Sequence, residues 1–219
     1  MTTAPTARPP APLAAPLVAR ADLGDIAWQV LAHDGHLVPL TDDVGLPAGV
    51  RATPELRAAA LGPALPTRCV VALGSAAWVH LGGRAPRDVH AERVVGRGAA
   101  GRGDPGGETV PGTTGAGSGV RDRDVVLLGG VAVTTARRTA SDLLLRAPAD
   151  AALRLVRALL DAGLVDLAEV RADVAAASGR RGVVAASRLL DVLARRQAPT
   201  PTAPPSSLEV GPSGRDRSV

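Results

Sequence analysis

No Phe and no Tyr occur in these 219 residues, and Trp28 and Trp78 are the only aromatic side chains apart from the histidines. An interior must therefore be filled with Leu, Val and Ala, and the 46% hydrophobic share is enough to build one. The length allows one domain or two small ones. All 25 basic residues are Arg, and Ala, Gly, Pro and Val are abundant. This is the pattern of GC-rich coding, so richness in Arg or Gly says little about function by itself.

The formal net charge of +4 permits a nucleic-acid partner without requiring one. One cysteine, Cys69, stands in the apolar run "RCVVALG". A disulfide framework is excluded, and Cys69 reads as a small buried apolar residue. No run approaches the roughly 18 apolar residues of a membrane span. The first twenty residues contain five prolines and no basic start, a poor match to a signal peptide, so a cytoplasmic protein is expected.

Composition divides the chain. Residues 1–16 and 198–219 are Pro/Ser/Ala tails expected to be disordered, because they cannot bury enough surface to offset the entropy of ordering. Residues 96–119 form a Gly-rich insert without apolar periodicity, expected to be a mobile loop. In residues 17–50, "DLGDIAWQVLAHDG" has Ile26, Val30 and Leu31 at helical spacing, with Asp25 as cap and Gly35 as stop. "HLVPL" reads as a strand and "TDDVGLPAG" as turn material. In residues 51–197, "TPELRAAALG" is a helix with Thr53 as N-cap and Pro54 at its first position. "TRCVVALG" is a strand or a helix, which periodicity cannot separate, and "GSAAWVHLGG" is a short helix capped by Ser75. "DVVLLGGVAVTT" predicts two strands around a Gly-Gly turn, followed by a helix from about Ala136. The stripe of Leu153, Val156, Leu159 and Leu160 opens a helical C-terminal half. The expected class is α+β, with a small sheet and a helical second half.

Most motif matches are accidents of composition. Gly96, Gly98 and Gly101 spell G-x-G-x-x-G, but a dinucleotide site needs that pattern to open a helix, and "DPGG" follows. The Arg102-Gly103-Asp104 triplet is incidental. His33 and His36 flank the turn pair Asp34-Gly35 and have no further ligand set, and His80 and His90 have no Cys or carboxylate partner nearby in sequence. No nucleophile elbow, Walker loop or two-metal carboxylate pattern is present, so no cofactor, metal or catalytic residue is expected. At "VTTARRTASDLL", Thr134 or Thr135 can cap the helix, and Arg138 and Asp142 lie four apart on one face. That describes a junction fixed by a cap and a charged pair, with Arg137 on a different face and open to a binding role.

The string "GGVAVTTARRTASDLL", residues 129–144, resembles the "GV-VT-T/S-x-x-RT-x-x-DL" signature of AbiEi-like antitoxins as found in actinobacterial proteins, carried here by Thr134, Thr135, Arg138, Thr139 and Asp142. "LGSAAWVHLGG", with Ser75 and His80, is similar to that family's "S-A-A-x-x-H-G" helix, and "LLDAGLVDLAEVRADVAAASGRRGVVAASRLLDVL" to its helical end. The resemblance covers about residues 21–197, interrupted by the insert. It implies an N-terminal winged helix-turn-helix followed by a small α/β domain. It also implies repression of the protein's own promoter DNA and neutralisation of a nucleotidyltransferase-like toxin in a type IV toxin–antitoxin system. Some relatives carry a nuclease-like domain after the helical end, which is not carried over.

The winged-helix segment departs from that pattern. Residues 21–50 hold five aspartates and no arginine, the usual "G-x-Y" wing is replaced by "TDDVGLPAG", and the motif's first helix is absent. A groove-reading helix needs cations against phosphate. The positive excess lies in residues 51–97 and 121–197, where Arg84, Arg87 and Arg137 are the candidates for contact with DNA or a partner. The expectation is a non-enzymatic antitoxin or transcriptional-regulator relative acting more through protein than DNA. The competing expectation is an interaction or scaffold module without toxin or DNA.

Overall fold

The computed structural model describes residues 16–93, 120–179 and 181–197; except for Pro16, both expected tails, together with the Gly-rich insert, lie outside them. The described chain is α+β, with two small sheets and eight α-helices among these residues.

The first unit runs β1 (Val18–Ala19), α1 (Arg20–Leu23), α2 (Asp25–His33), β2 (Leu37–Pro39) and β3 (Val44–Pro47). Its strands pair antiparallel in the order β1-β3-β2. Two helices, the first a single turn, are followed by a hairpin, and the strand before them closes the sheet. The expectation for "TDDVGLPAG" is corrected here. Its two ends are bend and turn, at residues 41–43, where Thr41 Oγ1 accepts from the Asp43 and Val44 amides, and at residues 48–49. Its middle, Val44–Pro47, is β3, the central strand of the sheet. Val44, Leu46, Trp28 and Leu37 are all buried. Gly45, between Val44 and Leu46, faces Trp28 and Leu37 at close quarters: a Cβ there would stand 3.1 Å from the Leu37 side chain, the Trp28 ring and the Val38 carbonyl oxygen.

The second unit holds a four-stranded sheet in the order β5-β4-β7-β6, formed by β4 (Cys69–Val71), β5 (Ala91–Arg93), β6 (Val125–Leu128) and β7 (Val131–Thr134). β4 and β7 are parallel, and the other pairs are antiparallel. The ambiguous "TRCVVALG" is thus a strand leading into a helix. α3 (Pro54–Leu61) begins as its sequence predicts, with Thr53 Oγ1 accepting from the Leu56 amide. α4 (Leu73–Leu81) is buried on several sides and separates two cores. Trp78, Val79 and Ala76 face Leu61, Val71 and Val133 beneath the sheet. Ala77 faces a helical core built by α5 (Ala136–Arg146), α6 (Ala149–Asp161), α7 (Leu167–Ala176) and α8 (Val183–Gln197). Its centre is Leu143, Val156, Leu159, Val170, Val174 and Leu190, all aliphatic, as a chain poor in aromatics requires.

One buried cation was not legible from sequence. Arg57 on α3 donates from Nε to the Val79 carbonyl at 2.9 Å, from Nη1 to Ala52 at 2.5 Å and from Nη2 to His80 at 3.2 Å. Burial lowers its pKa from the ordinary value. It satisfies carbonyls in the last turn of α4, where a helix leaves them without partners and the dipole favours a cation.

Candidate functional site

The junction between β7 and α5 gathers most of the residues singled out by sequence. Thr135 is the helix N-cap, with Oγ1 accepting from the Arg138 amide at 3.2 Å. Thr134 instead points inward, its hydroxyl 2.7 Å from that of Thr139. His80 donates from Nε2 to the Thr134 carbonyl at 2.8 Å and so joins α4 to the end of β7. Arg138 binds Asp142 at 2.7 Å through Nε and Asp124 at 2.9 Å through Nη1. Burial works against its charge, but the two carboxylates outweigh that and raise its pKa. Burial likewise pushes the Asp142 carboxyl up, with the Arg138 bond opposing.

Arg137 leaves the other face of α5 and grips Asp173 on α7 with two bonds of 2.6 Å, while Glu169 lies 3.3 Å away. Arg146 pairs with the buried Glu92 of β5. The arginines of α5 therefore tie it to the segment before β6, to α7 and to β5. Beside the junction opens a cleft of about 500 Å³ lined by Arg121, Arg123, Thr135, Ser141, Asp173 and Ser178, among others. Its charges are largely matched within the protein: Arg137 and Arg138 are held by carboxylates, and Arg123 lies 3.9 Å from Asp124.

Ser75 does not cap α4. The helix begins two residues earlier, with Ala72 as N-cap and no side-chain cap bond. Ser75 is buried inside it, donating to the Asp88 carbonyl at 3.4 Å and accepting from the His90 amide at 2.9 Å, so it fastens the loop that follows. Arg84 and Arg87 lie exposed in that loop and do not line the cleft. No group of His, Cys, Asp and Glu among the described residues could hold a metal ion, His33 and His36 included. No helix among them is long and apolar enough to cross a membrane.

The more informative surface is α2. Asp25 is not its cap; Gly24 occupies that position and Asp25 accepts from Arg20 Nε at 2.8 Å. Of the three residues at helical spacing, Leu31 is half-buried and Ile26 and Val30 face outward. Trp28 takes the inward position, while Ile26 is 82% exposed and Val30 51% exposed. Gln29 and His33 complete the outward row at i, i+3, i+4 and i+7, and both are exposed. A lone large aromatic in a short helix is the signal that could have set the rotation, since Trp28 offers by far the largest area to bury. Asp22, Asp25, Asp34, Asp42 and Asp43 are all exposed.

No protein-family model matches this chain, and no curated protein matches it either.

Two consequences follow at the junction. Thr135→Ala removes one cap bond and is expected to cost about 1 kcal/mol, a fall of a few degrees in thermal melting, with the fold intact by circular dichroism. An unchanged Tm would show that the cap bond contributes nothing. The His80 pKa is lowered, chiefly by burial, with the bond to Thr134 opposing and Arg57 adding to the fall. The unfolded chain takes up this proton near the ordinary value of 6.5, and the folded chain only at lower pH. Stability is thus fully present above the unfolded value and is lost as pH falls through that window. Urea midpoints should fall from pH 7 to pH 5, and His80→Gln should flatten the slope. An equal slope in the variant would assign the titration elsewhere.

Proposed function

We propose that this chain is a non-enzymatic, AbiEi-like antitoxin-type regulator that works in the cytoplasm by holding a protein partner rather than by reading DNA. The sequence resemblance makes a nucleotidyltransferase-like toxin the expected partner. One observation carries the preference for protein. In a winged helix-turn-helix the second helix is the one placed in the DNA groove. Here that helix is α2, and its outward row is Ile26, Gln29, Val30 and His33, with five exposed aspartates in the same unit. The arginines that bound this unit are Arg20 and Arg51, and Arg20 is bonded to Asp25. Phosphate binding draws its affinity from cations that release counterions, and this surface offers repulsion instead.

The arginine-rich junction supports the same reading by what it does with its charges. Arg137 and Arg138 hold helices together, which makes the second unit a rigid platform. Affinity purification of the full chain from its own host should return one stoichiometric protein partner and no enriched DNA fragment. Enrichment of an upstream DNA segment without protein would contradict the proposal.

A further inference from the structure

We infer that the outward face of α2 is a docking surface for a basic amphipathic helix of a partner protein, an inference that rests on the protein-binding reading above. Ile26 and Val30 stand one helical turn apart and are the most exposed large apolar side chains of this helix. Apolar residues at that spacing are how one helix presents itself to another, and the eight residues from Ile26 to His33 span about 12 Å, enough for two turns of a packed partner. Elsewhere in this small unit Trp28, Leu37, Val44 and Leu46 are each 5% exposed or less, while Val38 on β2 is 50% exposed.

Charge selects the occupant. Asp25 begins α2, Asp34 follows it, Asp22 lies on α1 and Asp42 and Asp43 lie in the hairpin turn, all exposed. Nucleic acid is repelled by this rim. A second copy of the chain docked through the same face would set Asp22 and Asp34 against their own counterparts, like charge against like. A helix with an apolar stripe bordered by Arg or Lys matches both features, with burial at the centre and opposite charge at the rim.

The probe is a synthetic helix of about 20 residues with a Leu stripe and Lys flanks, titrated into the ¹⁵N-labelled full chain. Matched peptides carry Glu flanks, or Ser in place of Leu. The Lys–Leu peptide is expected to bind, with amide shifts centred on residues 22–34, and the two matched peptides to bind more weakly. Ile26→Ser with Val30→Ser should weaken binding about tenfold, and Asp22→Asn with Asp34→Asn about threefold at low salt. These positions are exposed, so the variants should keep the parent Tm. Leu164→Ser, an exposed apolar change elsewhere, should bind like the parent. No binding, shifts centred elsewhere, or equal affinity for the Glu-flanked peptide would overturn the inference while leaving the protein-binding reading in place. Sequence-preferring duplex binding in a parallel titration would overturn the reading itself.

Discussion

Arg138→Ala should destabilise the protein by about 3–5 kcal/mol, a fall on the order of 10 °C in melting temperature. The side chain of Arg138 is 15% exposed and that of Asp142 5%, so this ion pair is closed off from solvent. Removing the cation leaves the Asp142 carboxylate buried with its main counter-charge gone, and Asp124 loses its link to α5 as well. The expected loss is mostly the penalty of an uncompensated buried charge, not the intrinsic worth of the pair. Replacing both partners tests that distinction: Arg138→Met with Asp142→Leu should recover much of the lost stability. Arg157→Ala is the control, because its partner Asp161 is 62% exposed and such pairs contribute little. A shift for Arg138→Ala no larger than for Arg157→Ala would mean that the junction is not held by its charges.

Gly129→Ala should be nearly as damaging, at about 3–4 kcal/mol by urea denaturation. Gly129 and Gly130 are the two central residues of the β6–β7 hairpin, with Leu128 paired to Val131 and φ values of 52° and 80°. Two positive φ values are what a tight two-residue hairpin demands. Space separates the two glycines. A Cβ on Gly129 would fall on the Glu55 carbonyl oxygen of α3 and 3.1 Å from the Ala59 side chain, whereas one on Gly130 meets nothing within 4 Å. Gly130→Asn should therefore cost well under half as much, since Asn tolerates this backbone region and its Cβ meets nothing within 4 Å. Equal losses at both positions would show that turn conformation alone, without the approach of α3, sets the requirement.

These examples show which parts of the architecture were written locally. The Gly-Gly hairpin, the Thr53–Pro54 helix start and the stripe of Val156 and Leu159 are short-range patterns, and the structure contains each of them. The cap at Thr135 and the Arg138–Asp142 pair were legible for the same reason: the partners are three and four residues apart. What sequence could not supply was long-range. Arg57 meets carbonyls more than twenty residues away, and Arg137 meets Asp173 at a separation of 36. In each case the fold, not the spacing, chooses the partner. β3 was missed because a glycine and a proline in "VGLP" read locally as turn, and only pairing with two neighbours makes it a strand. The outward turn of Ile26 and Val30 was not legible because they fit helical spacing as well as any buried stripe does. Trp28 decided the inward face against them.

The site is legible to a smaller degree than the fold. The signature-like residues at the β7–α5 junction proved to be bonded to one another, so their spacing records how the junction is built. The exposed face of α2 carries no motif; it is visible only once the inward face is known.

Fluorescence anisotropy of the full chain with duplex DNA from its own upstream region, against a scrambled duplex and at low and physiological salt, tests the central claim most directly. An α2 face of Ile26 and Val30, with Asp25 and Asp34 at the two ends of the helix, predicts no preference between the duplexes at either salt concentration. Preferential binding of the upstream duplex, weakening steeply as salt rises, would contradict it and place a phosphate-binding surface on this protein.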